Sequence, residues 1–307
     1  MREPPPGLGE DTVLALVREH WLPDATTAVH LPLGFGAWHW QVDLGYRPTL
    51  VATYDLPTPA RPRSVLDDAY AATADLAFAL DAVVAPLPST ALTPTVDVPG
   101  QPGVLSCTPW VHGEPGRYGE PMTDDQAEST ARTLARLHRA SPPRRLPTWS
   151  TAVPSDLTGR LTTSLDDDAS WRAGPLGTIA RRLLAEHRDA VTADVEEHSR
   201  LLAEVESTRE RWVVTHGEPH RGNQIDTLQR TLLVDWESVR LAPPERDLRW
   251  LPDPAAAGAD PAVLRLVELE WRLDEVAQYA LRFAGPHPGG PDDEIALAGL
   301  RDALADD

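Results

Sequence analysis

Residues 213–225 read VVTHGEPHRGNQI. A short apolar run leads into His216, Glu218, His220 and Asn223, all within eight residues, and a second apolar start follows. Twelve residues past Asn223 the run TLLVD ends at Asp235, followed by Trp236 and Glu237. The pattern predicts two short strands, Arg211–Thr215 and Thr231–Asp235, flanking a polar loop. Glu218 can take a proton from a substrate hydroxyl. Asn223 can offer an amide oxygen to Mg²⁺, and an acid at the end of a buried strand can be aimed into a cleft as a second metal ligand. His220 alone reads as a loop residue satisfying backbone groups. The whole set at this spacing points to chemistry instead.

Composition narrows the classes of function. The chain has 307 residues, 41% of them hydrophobic, enough for a sizeable core. The formal net charge is −19. Gripping nucleic-acid phosphates takes basic patches, so nucleic-acid binding is not expected. Such acidity fits plain solubility, and it also fits attraction of a cationic acceptor. No apolar run approaches the roughly 18 residues that cross a bilayer, and the opening MREPPPGLGE has no apolar signal core. A single cysteine, Cys107, excludes an internal disulfide. A cytoplasmic protein without a membrane partner is expected. All 28 basic residues are arginine, in keeping with a GC-rich genome.

Outward from the loop, the pattern is strand-rich first and helix-rich later. Asp11–Trp21 reads as a helix capped by Asp11. Ala28–Asp43 and Pro48–Leu56 read as strands, and Ser64–Asp81 as a helix opened by Ser64 with Asp67 at the capping-box spacing. Two strands around a Pro/Gly turn follow, up to Gly113–Gly116. Thr123–Ala140 is a helix with Thr123 as cap and Gln126 completing the box. Gly177–Val205 reads as a long helical stretch. A further helix opens with Asp260 as cap and Pro261 in the first turn and runs to about Phe283, and a last one covers Asp292–Leu304. The expected fold is α+β in two lobes, 1–110 and 111–307, with a hinge near Pro109–Gly113.

His216–Asn223 followed by LLVDWE resembles the catalytic and metal-binding segments of the aminoglycoside phosphotransferase family, which shares the protein-kinase fold. LAPPERDLRWL resembles the family's next segment, where Asp247 matches a buried carboxylate bracing the catalytic loop. LGFGAWHWQV fits its glycine-containing phosphate loop at Gly34 and Gly36. LSCTPWVHG fits its hinge, with Thr108 and Trp110 beside the nucleotide, and ARTLARLHRA fits the helix after the hinge. The resemblance implies transfer of the γ-phosphoryl group of ATP or GTP to a small hydroxylated molecule. It makes Glu218 the catalytic carboxylate and Asn223 and Asp235 the Mg²⁺ ligands, and leaves His216 a structural residue of the loop. The expected acceptor class is an antibiotic, by family analogy.

Two departures stand out. Glu218 replaces the family's usual Asp, and one methylene lengthens the arm by roughly 1.5 Å. The family's strand lysine, which touches the α/β-phosphates, is absent, and Thr53 stands at or near its position. The Ser64–Asp81 helix, which should carry that lysine's Glu partner, has only Asp67, Asp68, Asp75 and Asp81 as acids. What replaces the lysine contact stays open: Arg61 and Arg63 lie just past the strand, though both read mainly as solvated surface, and backbone amides of the Gly34–Ala37 loop could donate. Two other functions stay open at this point: a catalytically silent nucleotide- or ligand-binding protein on the same fold, and a metabolic kinase of a sugar, amino alcohol or amino acid.

Overall fold

The computed structural model describes residues 1–58 and 61–305. The chain divides into two compact units, Met1–Trp149 with Arg211–Gly258, and Ser150–Glu210 with Ala259–Asp307.

The first unit opens with α1 (Glu10–His20), β1 (Thr27–Leu31), β2 (Trp38–Leu44), β3 (Arg47–Asp55), α2 (Arg63–Ala77), β4 (Thr95–Asp97) and β5 (Val104–Pro109). The strands form an antiparallel sheet in the order β1-β2-β3-β5-β4. Side chains alternate across a strand, so Trp40 and Val42 of β2 and Leu50, Ala52 and Tyr54 of β3 fall on one buried face. They pack with Val13, Leu16 and Val17 of α1. The opposite face carries the cross-strand pair His39 and Thr53, both only partly covered.

Ala28–Asp43 is two strands rather than one. Pro32 cannot donate to a ladder, and Gly34 and Gly36 adopt φ of 68° and 94°, the left-handed region that glycine tolerates best. The run therefore breaks into a loop. The two caps expected at the first helices are also corrected. Gly9 precedes α1 without a side-chain cap, and Asp11 sits in the first turn, where a negative charge suits the helix dipole. Pro62 precedes α2, with its ring-fixed φ of −66° leading the chain in, and Asp67 accepts a hydrogen bond from Thr95 instead of capping.

The same unit continues through β6 (Glu114–Pro115) and α3 (Asp124–Leu137). Here the expected capping box forms: Thr123 Oγ1 accepts from the Gln126 amide at 3.3 Å and Gln126 Oε1 from the Thr123 amide at 2.9 Å. A cap of this kind contributes about 1 kcal/mol.

In the second unit, Gly177–Val205 is interrupted at His187. The unit contains α4 (Leu157–Asp166), α5 (Gly177–Glu186) and α6 (Arg188–Glu206). Back in the first unit are β7 (Val213–Thr215), β8 (Gln224–Asp226), β9 (Thr231–Leu233), β10 (Arg240–Ala242) and α7 (Glu245–Leu248). α8 (Pro261–Phe283) and α9 (Pro291–Leu304) complete the second unit. Asp260 caps α8 with Pro261 in its first turn, as its sequence predicts. The second unit's core gathers Leu161, Trp171, Leu184, Leu273, Phe283 and Leu300.

Among the described residues, no helix is long and apolar enough to cross a membrane. The architecture is α+β, with an antiparallel sheet in the first third and mainly helices after it.

Candidate active site

β7 pairs with β10, and β8 pairs with β6 and β9. The loop 216–223 is thus strung between two small sheets that hold both its ends. Beneath it, Val214, Leu233, Trp236 and Val239 pack with Leu134 and Leu137 of α3 and Ala69 and Leu76 of α2.

Asp247, in α7 and fully buried, organises the loop from below. Its Oδ1 accepts from the Gly217 amide at 2.6 Å. Its Oδ2 accepts from the His216 amide at 3.1 Å and lies 2.9 Å from His138 Nε2. Burial pushes this carboxyl up, but the His138 hydrogen bond and nearby charge outweigh it and hold Asp247 below the usual range. His138, the C-cap of α3, serves as this polar partner. Gly217 has φ of 101°, and a Cβ there would stand 2.5 Å from the Arg246 guanidinium. The positive φ calls for glycine there, and an added Cβ would also displace the Arg246 guanidinium.

His216 is a structural residue in this geometry. Its Nδ1 accepts from the Glu218 amide at 3.2 Å, so its Nε2 carries the hydrogen donated to the Val234 carbonyl at 2.9 Å. The ring lies against Trp236, with centroids 4.4 Å apart. Burial lowers its pKa to about 4 and keeps it neutral.

Glu218 projects from the loop, partly exposed. Ser238 Oγ donates to its Oε1 at 2.7 Å. Burial, then the like charge of Glu237, raises its pKa. The Asn223 Nδ2 donates to the Glu218 carbonyl at 3.0 Å. That bond fixes the amide orientation and leaves Oδ1 as the side chain's acceptor atom. Asp235 adopts a left-handed backbone, φ 64° and ψ 66°. Such a conformation costs a non-glycine residue about 1 kcal/mol or more and is characteristic of functional sites.

Residues 55–281 match the APH phosphotransferase enzyme family. The chain belongs to that family. The resemblance carried by His216–Asp247 is borne out, and with it the kinase-like α+β fold.

Protein StrN of Streptomyces griseus is 32% identical over 185 residues, covering 57% of this chain and 57% of that protein. The chain thus spans little more than half the length of that curated relative. The crystal structure of a spectinomycin phosphotransferase with ADP and spectinomycin aligns over 96% of this chain and 94% of its own, with a TM-score of 0.73 at 14% identity. A microcompartment-associated aminopropanol kinase aligns over 92% and 90%, with a TM-score of 0.57 at 16% identity. At these identities, the structural likeness establishes the fold.

Around the family loop, the structure gathers acids that the sequence did not group. Asp55, at the end of β3, is fully buried. Tyr70 donates to its Oδ2 at 3.0 Å, and Oδ1 has no hydrogen-bond partner among the described residues. Burial, then Glu237, raises Asp55 to about 7. Enclosure by protein, then Glu237, with which it shares a hydrogen bond, and then Glu218 and Asp55 push Asp235 well above the usual range. By surface area the residue is nonetheless exposed. Glu237 itself stays low. Burial acts to raise it, but the Arg61 guanidinium, ion-paired to its Oε1, more than compensates.

Thr53 accepts or donates at 3.0 Å to His39 Nδ1. His39 in turn lies under the glycine loop, since a Cβ on Gly34 would sit 3.3 Å from its Nε2. Thr108 and Trp110 lie where β5 runs out, opposite Val51 and Thr49 of β3. No described hydrogen bond or ring contact ties either to the acidic cluster. Beside the loop, an open cavity of about 350 Å³ is lined by Tyr118, Glu120, Met122, His220 and Trp250, among others. His220 stacks edge-on between Tyr118 and Trp250, each centroid 4.9 Å away.

Asp55, Ser238 and the Arg61–Glu237 pair escaped the sequence reading. For Glu237 a signal existed in its place two residues past Asp235. For Asp55 and Arg61 it did not, because their proximity depends on how α2 returns to the loop.

The Asp55 carboxyl carries a stability prediction. Its folded pKa, raised from the model-compound 3.8 to about 7, means the folded chain holds this proton more tightly than the unfolded chain. Stability from this group is therefore present at low pH and lost as pH rises towards about 7. Asp55→Asn, which cannot ionise, is expected to gain in melting temperature relative to wild type between pH 5 and pH 8. A difference that stays constant across that range contradicts the assignment.

Proposed function

We propose that this chain is a nucleoside-triphosphate-dependent O-phosphotransferase acting on a small hydroxylated molecule. The observation that carries the reading is the convergence of Glu218, Asn223 and Asp235 around a loop braced by Asp247. In this reading, residues 1–110 form a nucleotide-binding lobe, with Gly34, Gly36, Thr53, Thr108 and Trp110 towards the nucleotide. Residues 111–307 carry the catalytic loop and the acceptor. Glu218 accepts the acceptor's hydroxyl proton as that oxygen bonds to the γ-phosphorus. The bond from phosphorus to the bridging β-phosphate oxygen breaks, and the nucleoside diphosphate leaves.

The donor set suits Mg²⁺. Asn223 Oδ1 and the Asp235 carboxylate are hard oxygen ligands, and Asp235 held above its usual range marks a site short of positive charge. Among the described residues there is no group of three or more His, Cys, Asp or Glu that could hold a metal. Phosphate oxygens and water must therefore fill the shell, as they commonly do for Mg²⁺. The metal would supply charge neutralisation of the phosphates.

Asp235→Ala is expected to weaken Mg-nucleotide binding on the order of 100-fold, the upper end of what even supporting residues of a metal site cost, and to abolish its sensitivity to EDTA in calorimetry. Unchanged affinity would point instead to a silent binder.

For the acceptor, the cavity beside His220 and the net charge of −19 favour a cationic, amine-bearing alcohol. An antibiotic is the first choice, given the similarity to StrN and to the spectinomycin enzyme. A metabolic amino alcohol is the second, given the aminopropanol kinase. Acceptor-stimulated release of ADP or GDP, followed in a coupled assay over both classes, tests the reading. Nucleotide binding with no turnover on any acceptor contradicts it.

A further inference from the structure

The chain contains no lysine, so a β3 lysine cannot meet the phosphates, and the space beside Thr53 must be served otherwise. The cations nearby can be taken in turn. His39, the cross-strand neighbour of Thr53, is brought down to about 4 chiefly by burial and is neutral. Arg63 pairs with Asp67 and Asp97 at the surface. Arg240 donates to the backbone carbonyls of Glu237 and Val239. Arg246 is spent on Thr215, on the Ser238 carbonyl and on packing against Gly217.

Arg61 differs from all of these. Its amide donates to the Thr58 carbonyl and Oγ1 at 3.1 and 3.0 Å, just before Pro62 leads into α2. The guanidinium reaches back to Glu237, and its side chain is 22% exposed. Only one of its terminal nitrogens, Nη1, is engaged by Glu237. The nearest carboxylates are those of the cluster already described: Asp55 and Glu237 act on its charge, as Arg61 acts on Glu218. Glu237 also acts on the charge of His39, the cross-strand neighbour of Thr53 on β3, the strand that ends in Asp55. The cation therefore arrives from the start of α2, and its carboxylate partner from the turn after β9, the reverse of a strand lysine with a helix glutamate.

We infer that Arg61, oriented by Glu237, is the cation that holds the nucleotide's phosphates in this protein. The inference rests on the phosphotransferase reading above. A guanidinium suits the task. Its planar fork offers five N–H donors, so one edge can hold a carboxylate while others meet phosphate oxygens. An ion pair that merely tied α2 to the loop would be indifferent to the phosphates.

The test compares ADP with adenosine, and GDP with guanosine, by competition binding in the presence of Mg²⁺. It uses wild type, Arg61→Gln, Arg61→Lys, Thr53→Lys and the double variant Arg61→Gln/Thr53→Lys. Arg61→Gln keeps a hydrogen-bond donor towards Glu237 and so keeps the tether. Its diphosphate affinity should fall on the order of 100-fold while nucleoside affinity stays within about twofold. Arg61→Lys should retain part of the lost affinity. The double variant, with a lysine returned to β3, should recover at least about tenfold over Arg61→Gln, and Thr53→Lys alone should add little to wild type.

Equal losses for diphosphate and nucleoside, or no loss at all, overturn the inference while leaving the enzyme reading intact. Should Arg61→Gln fail to fold, Arg61→Lys and Thr53→Lys decide it. A gain of 100-fold from Thr53→Lys in wild type would mean that the phosphate cation is missing rather than moved. Wild type that binds no diphosphate defeats the phosphotransferase reading itself.

Discussion

Replacing Glu218 with Gln is expected to lower kcat by roughly 10²–10⁴-fold, the range that a positioned general base contributes, with nucleotide affinity little changed. The carboxylate is raised in pKa by its surroundings. Its one side-chain hydrogen bond is to Ser238, at 2.7 Å. That bond bears on why a glutamate stands where an aspartate is usual. Ser238 follows Glu237 on the turn after β9, so the loop and the turn together hold the longer arm. Glu218→Asp would pull the carboxylate back by roughly 1.5 Å and lose Ser238. A displacement of about 1 Å can cost on the order of 100-fold, so the Asp variant is also expected to be slow. An Asp variant as fast as wild type would show that the site was never fitted to Glu218.

Asp247→Ala is expected to cost about 3–5 kcal/mol of stability, since it leaves three donors without their acceptor at about 1–3 kcal/mol each. The Gly217 and His216 amides and His138 would all lose their shared acceptor in a place water does not reach. At about 2–4 °C per kcal/mol for a domain of this size, the melting temperature should fall by roughly 10 °C, and activity should fall with it as the loop loosens. Asp247→Asn keeps one acceptor oxygen and should lose less. Scanning calorimetry separates the two, and an unchanged melting temperature in Asp247→Ala contradicts the bracing role.

Much of this was legible in the sequence, for local reasons. The Thr123–Gln126 box, the Asp260–Pro261 start of α8 and the strand–loop–strand around Glu218 are written in adjacent residues. Asp247 was legible because the resemblance carried it. The caps at Asp11 and Ser64 were misread because Gly9 and Pro62 set the helix starts by backbone geometry, which outranks a side-chain cap one or two residues on. Arg61 was misread as solvated surface. Its partner Glu237 lies 176 residues away in sequence, and only the packing of α2 against the turn after β9 brings them together. Asp55 was missed for the same reason: its chemistry comes from burial, which a single strand-end residue does not announce.

The central claim is a working phosphoryl transfer with Glu218 as its base. The most direct measurement is mass spectrometry of amine-bearing hydroxylated antibiotics and metabolites incubated with the protein, Mg²⁺ and either ATP or GTP. The prediction is a product heavier by about 80 Da, one phosphoryl group, formed by wild type and all but lost in Glu218→Gln. The contradicting result is a product formed equally well by Glu218→Gln, which would leave the loop's carboxylate without a part in the chemistry.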